Sequence, residues 1–132
     1  MFTLKNIFKK LKGNKSSGQV DRAKCFDEDL NYNGPFEYID HGVGSVPLNY
    51  ILGSVGKCSA FNIEFIPRSH VPLDRLINIK QTIRQGKSLP PVNLYMVDDE
   101  YYVMDGNHRV AAAKGLGHTQ ILAKVVELIP SN

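Results

Sequence analysis

Apolar positions fall into two rhythms along this chain, one of period 3.6 and one of period two. Residues 2–12 place Leu4, Ile7, Phe8 and Leu11 at i, i+3, i+4 and i+7, with lysines mostly elsewhere. That is the pattern of a short basic amphipathic helix. Gly13-Asn14-Lys15-Ser16-Ser17-Gly18 follows it and reads as a flexible linker. The helical rhythm returns over residues 72–85, where Leu73, Leu76, Ile77 and Ile83 define an apolar face. Ser69 or His70 precedes it, Pro72 suits its first turn, and Gly86 suits its C-terminal cap. Arg75, Asn78 and Thr82 recur on an adjoining polar stripe. Residues 92–97 and 101–104 have strand character around Asp98-Asp99-Glu100, which predicts a β-hairpin with an acidic three-residue turn. Residues 46–52 predict a strand that turns at Gly53–Gly56, residues 107–115 a second helix stopped by Gly115 and Gly117, and residues 120–128 a closing strand. Residues 25–45 read as loop with one short element. Two helices among about four strands predict a small α+β domain with a mixed sheet. Residues 1–18 form the N-terminal segment and linker, and residues 19–132 the domain.

Composition narrows the class. The chain has 132 residues, 42% hydrophobic and 22% charged, ordinary for one globular domain. No apolar run is long enough for a transmembrane segment, and lysines interrupt any signal-peptide core, so a cytoplasmic protein is expected. Cys25 and Cys58 do not make a disulfide framework, and no CxxC or Cys/His cluster points to zinc. Free thiols are therefore expected, with neither cysteine needed for ligand binding, and no metal site is assigned. The net charge of +3 is uneven. Residues 1–24 hold seven Lys or Arg and one acid, while residues 25–132 hold nine against twelve acids. A mildly acidic body is not the footprint of an extended duplex-binding face. DNA contact, if made, is expected through the basic N-terminal segment.

Candidate chemistry gathers at Asp105-Gly106-Asn107-His108-Arg109, followed by Val110 and three alanines. A strand turning through Gly106 into a helix leaves the first backbone N–H groups unpaired, at the positive end of the helix dipole. That is a phosphate site in outline. Gly106 permits close backbone approach, Arg109 offers a planar donor fork, and His108 donates from one ring nitrogen when neutral. Asp105 fits a magnesium ligand, a general base or simply a helix cap. Gly42-x-Gly44 lacks the third glycine of a dinucleotide fingerprint, and Gly53–Cys58 fails the P-loop spacing.

The same box resembles the second motif of the ParB/sulfiredoxin superfamily, in which a Gly-x-His-Arg or Gly-x-Arg-Arg turn holds nucleotide phosphates. The resemblance extends to Val71-Pro72-Leu73, Leu89-Pro90-Pro91-Val92 and Gly117-His118-Thr119-Gln120-Ile121, and covers roughly residues 45–128. It implies a nucleoside triphosphate or diphosphate ligand, with or without Mg, held by Gly106, Asn107, His108 and Arg109. It places Arg75, Asn78 and Thr82 opposite, and leaves Asp105 and His108 as catalytic candidates. Sulfiredoxins carry a cysteine where this chain has Asn107, so sulfinic acid reduction is not expected. ParB proteins carry a helix-turn-helix beyond this domain, and the sequence to Asn132 has no such element, so operator reading is not expected. Archaeal ADP-dependent free-serine kinases have a catalytic Asp where Asp105 stands; their second acid has no motif match in this chain, Glu64 being the one candidate named for it. Three readings follow: a nucleotide-binding domain with NTP hydrolysis or phosphotransfer, a DNA-associated ParB-like module or nuclease, and a non-catalytic interaction domain. Nucleotide is the expected partner, with a homodimer as a further expectation.

Overall fold

Apolar alternation in the second half of the chain builds the centre of the sheet. The computed structural model describes residues 23–26 and 35–131. The N-terminal segment and linker, residues 1–18, therefore lie outside the described residues. Strands β4 (Val92–Val97) and β5 (Glu100–Asp105) form the expected hairpin. Its turn has two residues rather than three: Asp98 and Asp99 both take positive φ, 52° and 65°, as a tight twisted hairpin turn requires. Glu100 is not at the tip. It opens β5, is 3% exposed, and accepts a hydrogen bond from Lys24 Nζ at 3.0 Å.

β6 (Gln120–Pro130) runs parallel to β4, and β2 (Phe36–Pro47) runs antiparallel to β6 along its whole length. On the other side β3 (Ile51–Ser54) runs parallel to β5, and β1 (Lys24–Cys25) parallel to β3. The order is β1-β3-β5-β4-β6-β2. The fold is the expected small α+β domain with a mixed sheet and two main helices, but the sheet has six strands. β2 corrects the loop reading of residues 25–45. Most of its side chains are exposed, so no period-two burial marks it, and its pairing slips by one residue between Asp40 and Gly42. The strand expected over 46–52 is divided: β2 ends at Pro47, Leu48–Tyr50 form a 3-10 turn, and β3 begins at Ile51.

Helices α1 (Asp74–Arg84) and α2 (Asn107–Gly115) pack against each other and over the sheet. α1 buries Leu76 and partly buries Ile79 and Ile83. Leu73 and Ile77, expected on that face, are each 50% exposed. The inward face is thus rotated toward Ile79. α2 buries Val110, Ala111, Ala112 and Ala113, whose small side chains let it lie close to the core. That core joins them to Val92, Leu94, Val103, Ala123 and Val125 of the sheet and to Phe61 and Phe65. Each large side chain in it contributes about 1.5–3 kcal/mol. Among the described residues no helix is long and apolar enough to cross a membrane.

The cysteines correct the free-thiol expectation: Cys25 and Cys58 form a disulfide. β1 pairs with β3 so that Cys25 stands beside Ser54. The chain then turns at Gly56, φ +87°, into a 3-10 turn at Cys58–Ala60. This brings the two Cα atoms to 5.1 Å, within disulfide reach. A pairing made by sheet register across 33 residues leaves no local sequence signal.

Candidate functional site

Strand β5 delivers Asp105 to the edge of the helical layer, and Gly106 turns the chain into α2. Gly106 sits at φ +114° and ψ 25° as the helix N-cap, with no side-chain cap bond. A Cβ there would lie 2.6 Å from Val92 Cγ1, so the position demands glycine for both space and conformation. Asp105 is therefore not the cap. Its carboxylate, 72% exposed, accepts from Arg109 Nη2 at 3.2 Å, one helical turn on.

Arg109 is more committed than the phosphate-fork reading expects. Its Nη1 donates to Pro90 O at 2.8 Å and Pro91 O at 3.1 Å. With the Asp105 contact, three of its five donors are engaged within the protein. Arg109 thus fastens the Pro-Pro entrance of β4 to α2 and keeps only part of its guanidinium for a ligand.

Around this turn lies an open cavity of about 280 Å³. Asp105 to Arg109 form one wall, Arg75 and Ile79 of α1 a second, and Val55, Gly56 and Lys57 a third. Of the polar stripe on α1, only Arg75 enters the wall. Asn78 and Thr82 do not line it, and the Thr82 hydroxyl donates to Asn78 O at 3.0 Å. Glu64 does not line it either. The sequence gives no helix or strand period at Lys57, so its place beside the turn comes only from the fold. Asn107 has its side-chain oxygen buried with no partner.

Electrostatically the cavity is cationic. Arg75 and Lys57 carry no ion pair among the described residues. His108 rests edge-on against Phe61, ring centroids 5.5 Å apart. Burial, and then the charges of Arg75 and Lys57, push its pKa below the ordinary 6.5, which favours the neutral ring. Among the described residues no group of His, Cys, Asp or Glu is placed to hold a metal ion. The arrangement offers helix N-terminal amides, two cationic side chains and an imidazole to an anion.

None of the curated proteins matches the chain. Among solved structures it is similar to sulfiredoxin from Arabidopsis thaliana, with 25% identity, a TM-score of 0.49, and coverage of 63% of this chain and 82% of that one. It is also similar to a Pnob8-like ParB-N domain, with 12% identity, a TM-score of 0.46, and coverage of 71% of this chain and 31% of that one. The model of the ParB N-terminal domain family matches residues 58–131. That span takes in α1, the Pro-Pro strand, the Gly106 turn with α2, and β6, every element that the box needs to form, and so the chain belongs to the ParB N-terminal domain family.

Proposed function

We propose that this chain is a DNA-associated module of ParB type whose cavity binds the phosphates of a nucleotide. Family membership supports the first half of the reading. The second half rests on one observation: Arg75 and Lys57, which have no ion pair among the described residues, face the amides at the start of α2 across one cavity. Gly106, Asn107 and His108 would supply donors to the phosphates, and Arg109 its remaining N–H groups. Asn78 and Thr82 would contact only a ligand that extends along α1 beyond the cavity. DNA would meet the basic N-terminal segment, since the body is mildly acidic.

Hydrolysis or phosphotransfer takes second place, because Asp105 is turned to Arg109. If turnover exists, Asp105 is its base or magnesium ligand and His108 its neutral proton carrier. Calorimetric titration with ATP, ADP, CTP and GTP, with and without Mg²⁺, tests the cavity. Titration with duplex DNA at two salt concentrations tests the module, since phosphate-driven DNA affinity falls steeply with salt. No nucleotide binding tighter than about millimolar would leave Asp105–Arg109 as a structural turn only.

A further inference from the structure

Cys58 opens the span that the family model covers, and Lys57, the residue before it, lines the cavity. Three observations connect them. Lys57 lines the cavity wall opposite the start of α2. Cys58, its neighbour, is bonded to Cys25. Cys25 belongs to a strap that is itself fixed to the body: β1 pairs with β3, Ala23 N–H donates to Phe61 O at 3.1 Å, and Lys24 Nζ pairs with Glu100. The strap is also close-fitting. A Cβ at Gly53 would collide with the Lys24 carbonyl and lie 2.8 Å from the Tyr102 ring. Backbone hydrogen bonds hold the chain on either side of Lys57: Val55 N–H bonds Val103 O at 2.9 Å before it, and Ala60 N–H bonds Lys57 O at 3.1 Å after it. Between them Gly56 takes φ +87° with open space around it, and the disulfide adds a covalent tie at the residue next to Lys57, beside the packing of Cys58 and Ala60 on the core.

We propose that Lys57 is a phosphate-binding residue and that the Cys25–Cys58 disulfide positions it, making the cavity's affinity for polyphosphate redox-sensitive. The inference rests on the proposed phosphate site. Reduction by a dithiol breaks the S–S bond, leaves both cysteines as thiols, and converts the reductant to its own disulfide, with two electrons and two protons passing to the protein. Lys57 then samples positions away from the cavity, and one of its cationic side chains is lost to the ligand. The charge that Lys57 places on His108 fits a lysine held close to the turn in the oxidised form.

The test uses the full chain with sodium tripolyphosphate and, separately, ATP. Calorimetry compares oxidised wild type, wild type reduced with dithiothreitol, Lys57→Gln and Cys25→Ser. Oxidised wild type should bind most tightly. Lys57→Gln, reduction and Cys25→Ser should each weaken binding by roughly tenfold, and reducing Lys57→Gln should weaken it no further. Hydrogen exchange without ligand supplies an independent readout: amides of residues 55–60 should exchange faster after reduction while those of β4 and β5 do not. Equal affinities in all four samples would overturn this inference and leave the phosphate site standing. Unchanged exchange at residues 55–60 would also overturn it, as would two free thiols in the air-oxidised chain. Loss of binding in oxidised wild type itself would remove the phosphate site and this inference together.

Discussion

Three side chains decide how the turn works, and each gives a measurable expectation. Gly106→Ala puts a Cβ against Val92 at a positive φ. It should lower stability by about 1–3 kcal/mol, seen as a lower denaturant midpoint with an unchanged slope. An unchanged midpoint would mean that the turn can relax in a way the structure does not show. Arg109→Ala removes donors to Pro90 O, Pro91 O and Asp105 and should cost about 1.5–3 kcal/mol of stability. Arg109→Lys should restore little, because an ammonium cannot reproduce the planar fork. His108 has its pKa lowered by burial and by Arg75 and Lys57. The folded state therefore binds this proton less readily than the unfolded chain does. Its contribution to stability is present above the ordinary value of 6.5 and is lost as pH falls through the interval below it. Denaturation midpoints measured from pH 7.5 down to about 4.5 should fall more steeply for wild type than for His108→Gln, and parallel curves would contradict the assignment.

At the scale of elements, α2 is the piece whose placement sets the cavity. Its alanines at 111–113 are buried in the core, where a larger side chain must displace its neighbours. Ala112→Leu should destabilise the domain by about 1–3 kcal/mol through overpacking. It should also weaken any nucleotide binding, because α2 would lift its first turn away from Arg75. Circular dichroism for stability and calorimetry for binding check the two effects together. A variant of wild-type stability would show that the α1–α2 contact is looser than the burial implies. The hairpin of β4 and β5 has the opposite role. Its tip, Asp98-Asp99, does not line the cavity, and its Glu100 pairs with Lys24, tying β1 to the centre of the sheet.

For the whole molecule, charge and sheet order are the governing facts. Among the described residues six strands and two helices share one core. Deleting residues 1–18, the basic segment and its Gly/Ser-containing linker, should leave a cooperative domain with a similar melting temperature. The same deletion removes five lysines and should weaken DNA binding and flatten its salt dependence. A deleted chain that aggregates would show that Leu4, Ile7, Phe8 and Leu11 belong to the core or to an interface. A deleted chain with full DNA affinity would move the DNA contact to the body. The disulfide acts at this scale too, since it closes a long loop onto the sheet, worth about 2–4 kcal/mol.

Local sequence was enough for those parts whose cause is local. Strand-forming apolar runs around an acidic turn marked β4 and β5, alternation marked β6, and the Asp-Gly-Asn-His-Arg turn before three alanines placed the start of α2 at Asn107, because helix and strand patterns and turn glycines act over a few residues. The α+β class followed from those elements. Other features depended on residues far apart in the chain. β2 is an exposed edge strand whose pattern carries no burial signal, and it exists because β6 offers it a partner. The inward face of α1 was set by α2, which favoured Ile79 over Leu73 and Ile77. Arg109 looked free from sequence, but the fold brought Pro90 and Pro91 within reach of its guanidinium. Likewise, only sheet register brought Cys25 to Cys58 and Lys57 to the cavity. Distance along the chain says nothing about such pairs, since the hydrogen bonds and packing that join them form only when the sheet is complete.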